Sequence, residues 1–177
     1  GADLPGVTLG RLGCRTGIAS TGMERKLDEI LAGKYVEEER LLLHCSILRE
    51  GEHISESAAF NDVVVHKWDV ARMIELDTYI NGQFVNTTRS DGLIVSTPTG
   101  STAYALSGGG PILHPALDAI VLVPICPHTM SNRPIVAAGG SVIDIIVSDR
   151  SQPQSQLTSD GQIHLGLLAV ARLRRSR

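Results

Sequence analysis

The densest chemistry in the chain lies in Ser90-Asp91-Gly92-Leu93-Ile94-Val95-Ser96-Thr97-Pro98-Thr99-Gly100-Ser101-Thr102-Ala103-Tyr104. An apolar, extended segment runs into a hydroxyl-rich turn and then into a short helical stretch, Ser101 to Ser107. Five hydroxyl side chains fall between Ser96 and Thr102. Small residues let a ligand come close to the backbone. A helix start offers unpaired N–H groups and a positive dipole end, which suit a phosphate or a polar sugar. The same residues also suit a plainer role, with Ser101 or Thr102 capping the helix and the rest filling a turn. Spacing alone leaves both open.

Asn61-Asp62 precedes the run Val63-Val64-Val65. An amide beside a carboxylate at the mouth of a strand can read a ribose or a base edge; an Asx turn entering the strand is the alternative. The loop Pro127-His128-Thr129-Met130-Ser131-Asn132-Arg133-Pro134 sets His128 and Arg133 where phosphate contact is available. Its prolines and hydroxyls can equally serve its own backbone. Gly108-Gly109-Gly110-Pro111 has neither the G-x-G-x-x-G form nor a P-loop lysine, so by itself it only ends a helix. His44, His53, His66, His114 and His164 show no metal-ligand spacing and read as structural. Cys14, Cys45 and Cys126 form no CxxC pair and read as buried reduced thiols. No G-x-S-x-G is present.

The elements that must position these residues are mostly strands. Val7 to Leu9 follows a Pro-Gly turn. Thr21-Gly22-Met23-Glu24 has the form of a capping box, and Met23, Leu27, Ile30 and Leu31 then recur at helical spacing up to Gly33. That predicts a helix over 22–32. Beyond it the pattern turns extended: Arg40 to Leu48, Asn61 to His66, Arg72 to Ile80, Gln83 to Thr88, Leu93 to Ser96, Ala119 to Pro124, Val142 to Ser148 and Gln154 to Ser159. Glu50-Gly51-Glu52, Asn81-Gly82 and Asp160-Gly161 supply turns, with Asn81-Gly82 the strongest hairpin signal. Many short strands with regular turns indicate a β-sandwich of two packed sheets.

The 177 residues, 42% hydrophobic and 20% charged, suit a globular chain with a sizeable core and argue against disorder. Net charge is −3, and four arginines crowd into Arg172 to Arg177. A short basic tail on an acidic body is only a weak nucleic-acid signal, and 3% aromatics leave little for a stacking platform, so no nucleic-acid partner is expected. No apolar run approaches the roughly 20 residues of a membrane span. The start of the chain lacks the pattern of a signal peptide.

These blocks, in order, resemble the NAD kinase family. NDVVVHK, RSDGLIVSTPTGSTAYALSGGGPILHP, CPHTMSNRPIV and the late SDGQ resemble successive segments of its C-terminal domain. GVTLGRLG and the helix with LDEILAGKY resemble the junction between its two domains. The likeness covers the chain up to about Leu165 and is closest to proteobacterial members. It implies a mainly β fold: a two-sheet sandwich domain over 34–177, preceded by a remnant of an N-terminal α/β domain and linking helix over 1–33. It implies transfer of the γ-phosphoryl of ATP, or of polyphosphate, to the 2′-hydroxyl of the adenosine ribose of NAD. It further implies a divalent metal such as Mg2+, a cytoplasmic setting and a homo-oligomer, dimer or tetramer, in which NAD also touches a neighbouring subunit.

By residue, the resemblance implies that Asn61 and Asp62 contact NAD and that Arg72, Arg89 and Asp91 line the dinucleotide site. Thr102, Ala103, Tyr104, Ala105, Leu106 and Ser107 would wrap the bound NAD. Gln162 would meet the same pocket, and His128 would come near the phosphates. The family's base is the Asp of a Gly-Gly-Asp-Gly segment. None of the Gly-Gly pairs here, Gly108-Gly109, Gly109-Gly110 and Gly139-Gly140, is followed by Asp. The family's order places that segment upstream of Gly1, so these residues alone are expected to lack the base. A non-catalytic dinucleotide-binding module and a β-sandwich assembly module are the alternatives, and a lipid kinase of related architecture a more distant one. The pattern departs from the family at Cys14-Arg15 and at Lys67-Trp68. Over Ala169 to Arg177 a Gly-Asp turn and a final strand are missed, a loss expected to weaken packing.

Overall fold

A computed structural model describes residues 7–8, 18–19, 22–34, 38–68, 72–129, 132–152, 155–166 and 170–176. The chain divides into two compact units, Gly1–Glu39 and Arg40–Arg177. In the first, β1 (Val7–Thr8) pairs in parallel with β2 (Ile18–Ala19), and α1 spans Met23–Leu31. The expected helix is therefore present, but its N-cap is Gly22, with no side-chain cap. Thr21 and Cys14-Arg15 lie outside the described residues. Gly33 adopts φ 75°, the left-handed conformation that ends many helices.

The second unit holds β3 (Leu43–Arg49), β4 (Glu52–Ala59), β5 (Asp62–Lys67), β6 (Ile74–Ile80), β7 (Gln83–Ser90), β8 (Gly92–Ser96), α2 (Tyr104–Ser107), β9 (Ala119–Ile125), β10 (Ile135–Ala138), β11 (Ile143–Val147), β12 (Ser155–Ser159), β13 (Gln162–Gly166) and β14 (Val170–Arg175). They form two antiparallel six-stranded sheets. One has the order β10-β9-β8-β5-β12-β13, the other β4-β3-β14-β11-β6-β7. The fold is thus the mainly β two-sheet sandwich expected from the sequence. Turn chemistry sets its hairpins. Glu50-Gly51, Asn81-Gly82 and Asp160-Gly161 each place two successive residues at positive φ, as tight hairpin turns require.

Between the sheets lies the main core. Leu43, Cys45 and Ile47 of β3, Val63 and Val65 of β5, Ile74 and Leu76 of β6, Ile143 and Ile145 of β11 and Leu157 of β12 all point into it. Ala171 and Leu173 of β14 join them. This corrects the expectation that the final strand is missing. β14 sits mid-sheet, hydrogen-bonded to β3 on one side and β11 on the other. Alternation explains it: Ala171 and Leu173 are fully buried while Arg172 and Arg174 face out. Directly across the strand pair, Arg172 donates two hydrogen bonds to Asp144, at 2.7 and 3.2 Å. That carboxylate holds the guanidinium above its ordinary pKa. What reads as a basic tail is therefore a core strand with an ion-paired outer face.

Candidate functional site

β5 joins the core to the site. Its inward residues, Val63 and Val65, fill the main core; its outward residues, Asp62, Val64 and His66, face the other side of the sheet. There Val64 packs with Ile94 of β8, Val121 and Val123 of β9, and Ala105 and Leu113 above them. This small second core seats the segment 100–107 on the outer face of the sheet. Gly110 is needed beneath it, because a Cβ there would stand 2.7 Å from Val123 and 2.9 Å from the Ala105 carbonyl oxygen.

Most hydroxyls of the run are engaged with backbone carbonyls. A short 3-10 turn over Gly100–Thr102 precedes α2. Its N-cap is Thr99, without a side-chain cap, and neither Ser101 nor Thr102 serves as one; Gly100 N–H donates to Thr97 Oγ1 at 3.0 Å. Thr97 Oγ1 in turn donates to the Phe60 carbonyl at 2.8 Å, and Ser96 Oγ donates to the Asn61 carbonyl at 3.1 Å. Ser101 Oγ donates to the Pro98 carbonyl and accepts from Leu113 N–H. Ser96, Thr97, Thr99 and Ser101 are buried. The run is a brace between this segment and the entry to β5.

Asn61 is gripped from both sides. On its carbonyl side stand Ser96, Thr97 and Gly100; Thr97 N–H also donates to the Asn61 carbonyl at 2.8 Å. On its N–H side stands Asp160, in the β12–β13 turn. Phe60 N–H donates to Asp160 Oδ2 at 2.7 Å, while Asn61 and Asp62 N–H donate to Oδ1 at 2.7 and 3.2 Å. Asp160 N–H returns a bond to the Asp62 carbonyl at 2.9 Å.

A cleft of about 340 Å3 opens beside this clamp, lined by Asn61, Asp62, Val64, His66, Ala103, Tyr104, Thr158, Asp160 and Gly161. Such a volume lies at the small end of ligand sites. Val64 and Thr158, paired across β5 and β12, belong to one stretch of its wall. Asp62 is buried, and Tyr104 is 48% exposed at the rim. At the β5 end away from Asp62, His66 Nδ1 lies 3.1 Å from the Lys67 carbonyl and its Nε2 lies 3.1 Å from Gln156 Nε2. With Nδ1 as donor to that carbonyl, Nε2 accepts from the Gln156 amide.

The structure therefore brings together Asn61, Asp62, Ala103 and Tyr104, which the sequence reading had paired. Thr102 adjoins them, its hydroxyl donating to the Thr99 carbonyl at 3.3 Å. Gln162 follows Gly161 at the cleft edge, opposite Ser159 in the ladder. Ala105 lies in the second core, and Leu106 and Ser107 are exposed on α2. A second group gathers around Lys67, next to His66 at the far end of the cleft. Asp91 pairs with Lys67 at 2.7 Å, Arg89 lies 3.9 Å from Glu75, and His128 N–H donates to the Arg89 carbonyl at 2.9 Å. Arg72 precedes β6, whose first residue pairs with Ser90. Lys67 is five residues along β5 from Asp62, roughly 17 Å for an extended strand. Two residues escaped the sequence reading. By sequence Asp160 reads as a turn residue and His66 as structural, yet both line the cleft. The signal for His66 was the period of two from Asp62 through Val64.

Residues 60–177 match the family model described as the ATP-NAD kinase C-terminal domain. The chain belongs to the NAD kinase family. The NAD kinase of Hahella chejuensis is 57% identical over 167 residues, covering 93% of this chain and 56% of its own length. That of Saccharophagus degradans is 54% identical over 162 residues, covering 92% and 55%. The chain thus spans about half the length of the NAD kinases it matches. Among solved structures, yeast NADH kinase complexed with NADH superimposes with a TM-score of 0.88 at 29% identity, over 97% of this chain and 50% of that one. An NAD kinase from Archaeoglobus fulgidus in complex with ATP gives 0.84 at 28% identity, over 98% and 65%. Proteobacterial NAD kinases and the sandwich fold were both expected from the sequence motifs.

Proposed function

We propose that this chain is the dinucleotide-binding part of an ATP- or polyphosphate-dependent NAD 2′-phosphotransferase. The observation that carries this is the shared cleft between Asn61-Asp62 and Ala103-Tyr104, in a chain of the NAD kinase family. Solved relatives bound to NADH and to ATP support nucleotide substrates.

The roles follow from the side chains. The Asn61 amide both donates and accepts, and the Asp62 carboxylate accepts, so together they hold ribose hydroxyls in a defined orientation. Tyr104 offers an exposed ring for stacking against a base, and Gln162 a further amide at the edge. Phosphoryl transfer demands alignment and charge neutralisation more than covalent help from the protein. The ribose 2′-oxygen attacks the terminal phosphorus, the bond to the leaving phosphate breaks, and the hydroxyl proton passes to a base. The family's Asp for that step has no counterpart among these 177 residues. Among the described residues no three His, Cys, Asp or Glu side chains converge, and a divalent ion such as Mg2+ would be held chiefly by the substrate phosphates with one or two carboxylates. Arg89, Asp91 and His128 gather near Lys67, next to the cleft residue His66, and would meet dinucleotide bound to this copy or to a neighbouring copy in a homo-oligomer.

Two titrations test this. Calorimetry with NAD should give saturable binding to the full chain, lost or weakened at least tenfold in Asn61→Ala. A coupled dehydrogenase assay with NAD, ATP and Mg2+ then separates binding from turnover. Binding without turnover supports the dinucleotide-binding assignment and leaves catalysis to residues outside this chain. Equal binding by both proteins, or none by either, would overturn it.

A further inference from the structure

Asp160 lies at the cleft, yet turn formation alone does not account for where its carboxylate points. A hairpin turn at positive φ, here 48°, is satisfied by Asn or Gly as well as by Asp. Yet its carboxylate reaches back across the strand pair and collects three consecutive backbone N–H groups, those of Phe60, Asn61 and Asp62, two of them at 2.7 Å. Hydrogen bonds from N–H groups to a carboxylate are short and strong compared with neutral ones. The opposite side of the same segment is fixed by Ser96, Thr97 and Gly100. With both sides held, the peptide planes around Asn61 have one orientation. Their side chains then emerge into the cleft rather than sampling a loop.

We propose that Asp160 is a positioning residue: its carboxylate fixes the Phe60–Asp62 backbone so that Asn61 and Asp62 meet the dinucleotide in one conformation. This deepens the proposed function and rests on it. The binding energy of a preorganised pair is not spent on ordering the loop, so loosening the clamp lowers affinity without removing any ligand contact.

Asp160→Asn tests this with little disturbance of the turn, because Asn also tolerates positive φ. It keeps one acceptor oxygen but turns an NH2 group towards one of the three backbone donors. Three readouts separate the outcomes. Without ligand, the amide resonances of Phe60, Asn61 and Asp62 should shift, and their hydrogen exchange should speed up, while the core strands keep their protection. Unchanged signals at these three amides would overturn the proposal, whether or not NAD binds. With NAD, calorimetry should show affinity weakened about tenfold. In an Asn61→Ala background the same change should cost threefold or less, since residues acting through one another are not additive. A full tenfold cost in that background would mean that Asp160 acts independently of Asn61. Failure of the unsubstituted chain to bind NAD would count against the function and not against the clamp.

Discussion

Replacing Gly100 by Ala offers a sharp test of how the site is built. A Cβ at this position would lie 2.5 Å from the carbonyl carbon and 2.6 Å from Cα of Asn61, and closer still to its carbonyl oxygen. Carbon atoms rest at about 3.5–4.0 Å. The obstacle is backbone, not the end of a flexible side chain, so Asn61 or the 3-10 turn must move by about 1 Å. Overpacking of this kind costs about 1–3 kcal/mol. A shift of Asn61 also strains its carbonyl's bonds from Thr97 N–H and Ser96 Oγ, and losing one adds about 1 kcal/mol. The expected total is about 3 kcal/mol. Gly140→Ala is the matched control, because nothing lies within 4 Å of its Cβ position; it should change stability by less than about 0.5 kcal/mol. Urea titration reads the difference. At a slope of about 2 kcal/mol/M, Gly100→Ala should lower the midpoint by about 1.5 M. NAD affinity of the folded fraction should fall with it. Equal midpoints for Gly100→Ala and Gly140→Ala would show that the clamp is not rigid.

Two further predictions concern the core. Leu173→Ala should cost about 2–5 kcal/mol in urea titration, since Leu173 is fully buried in a mid-sheet strand, whereas Arg172→Ala, on its half-exposed ion pair, should cost about 1 kcal/mol or less; similar costs would deny β14 its place. Burial pushes the Cys45 thiol up from 9.0 to about 12; above pH 9 the unfolded chain releases this proton while the folded chain keeps it, so stability should fall as pH rises from 9 towards 12. Cys45 is buried as the sequence suggests, but Cys126 is exposed, at the start of the polar loop after β9, so in native protein near pH 8 peptide mapping after alkylation should find Cys126 modified and Cys45 intact.

The sandwich was legible where local chemistry and burial agree. Asn81-Gly82 announced its hairpin, and the Val63-Val64-Val65 run announced a strand covered on both faces, because β5 has the main core on one side and the second core on the other. β4 and β10 escaped because they are edge strands with few inward residues. β14 escaped for a different reason. Its arginines dominate the eye, yet only Ala171 and Leu173 decide which way it faces, and Asp144, which pairs with Arg172, lies 28 residues away on another strand. At the site, the pairing of Asn61 with Tyr104 came through the family motifs. The function of the hydroxyls did not, since whether a Ser or Thr faces a ligand or a carbonyl depends on the partner that folding brings. Asp160 was hidden for the same reason: its three donors lie 98 to 100 residues away.

The most direct measurement is a crystal structure of the chain with NAD bound. The expected density places the adenosine ribose within hydrogen-bonding distance of Asn61 and Asp62, with a ring stacked on Tyr104. NAD found instead in the hollow on the other sheet, among Leu48, Tyr79, Asp144 and Arg172, would contradict the assignment.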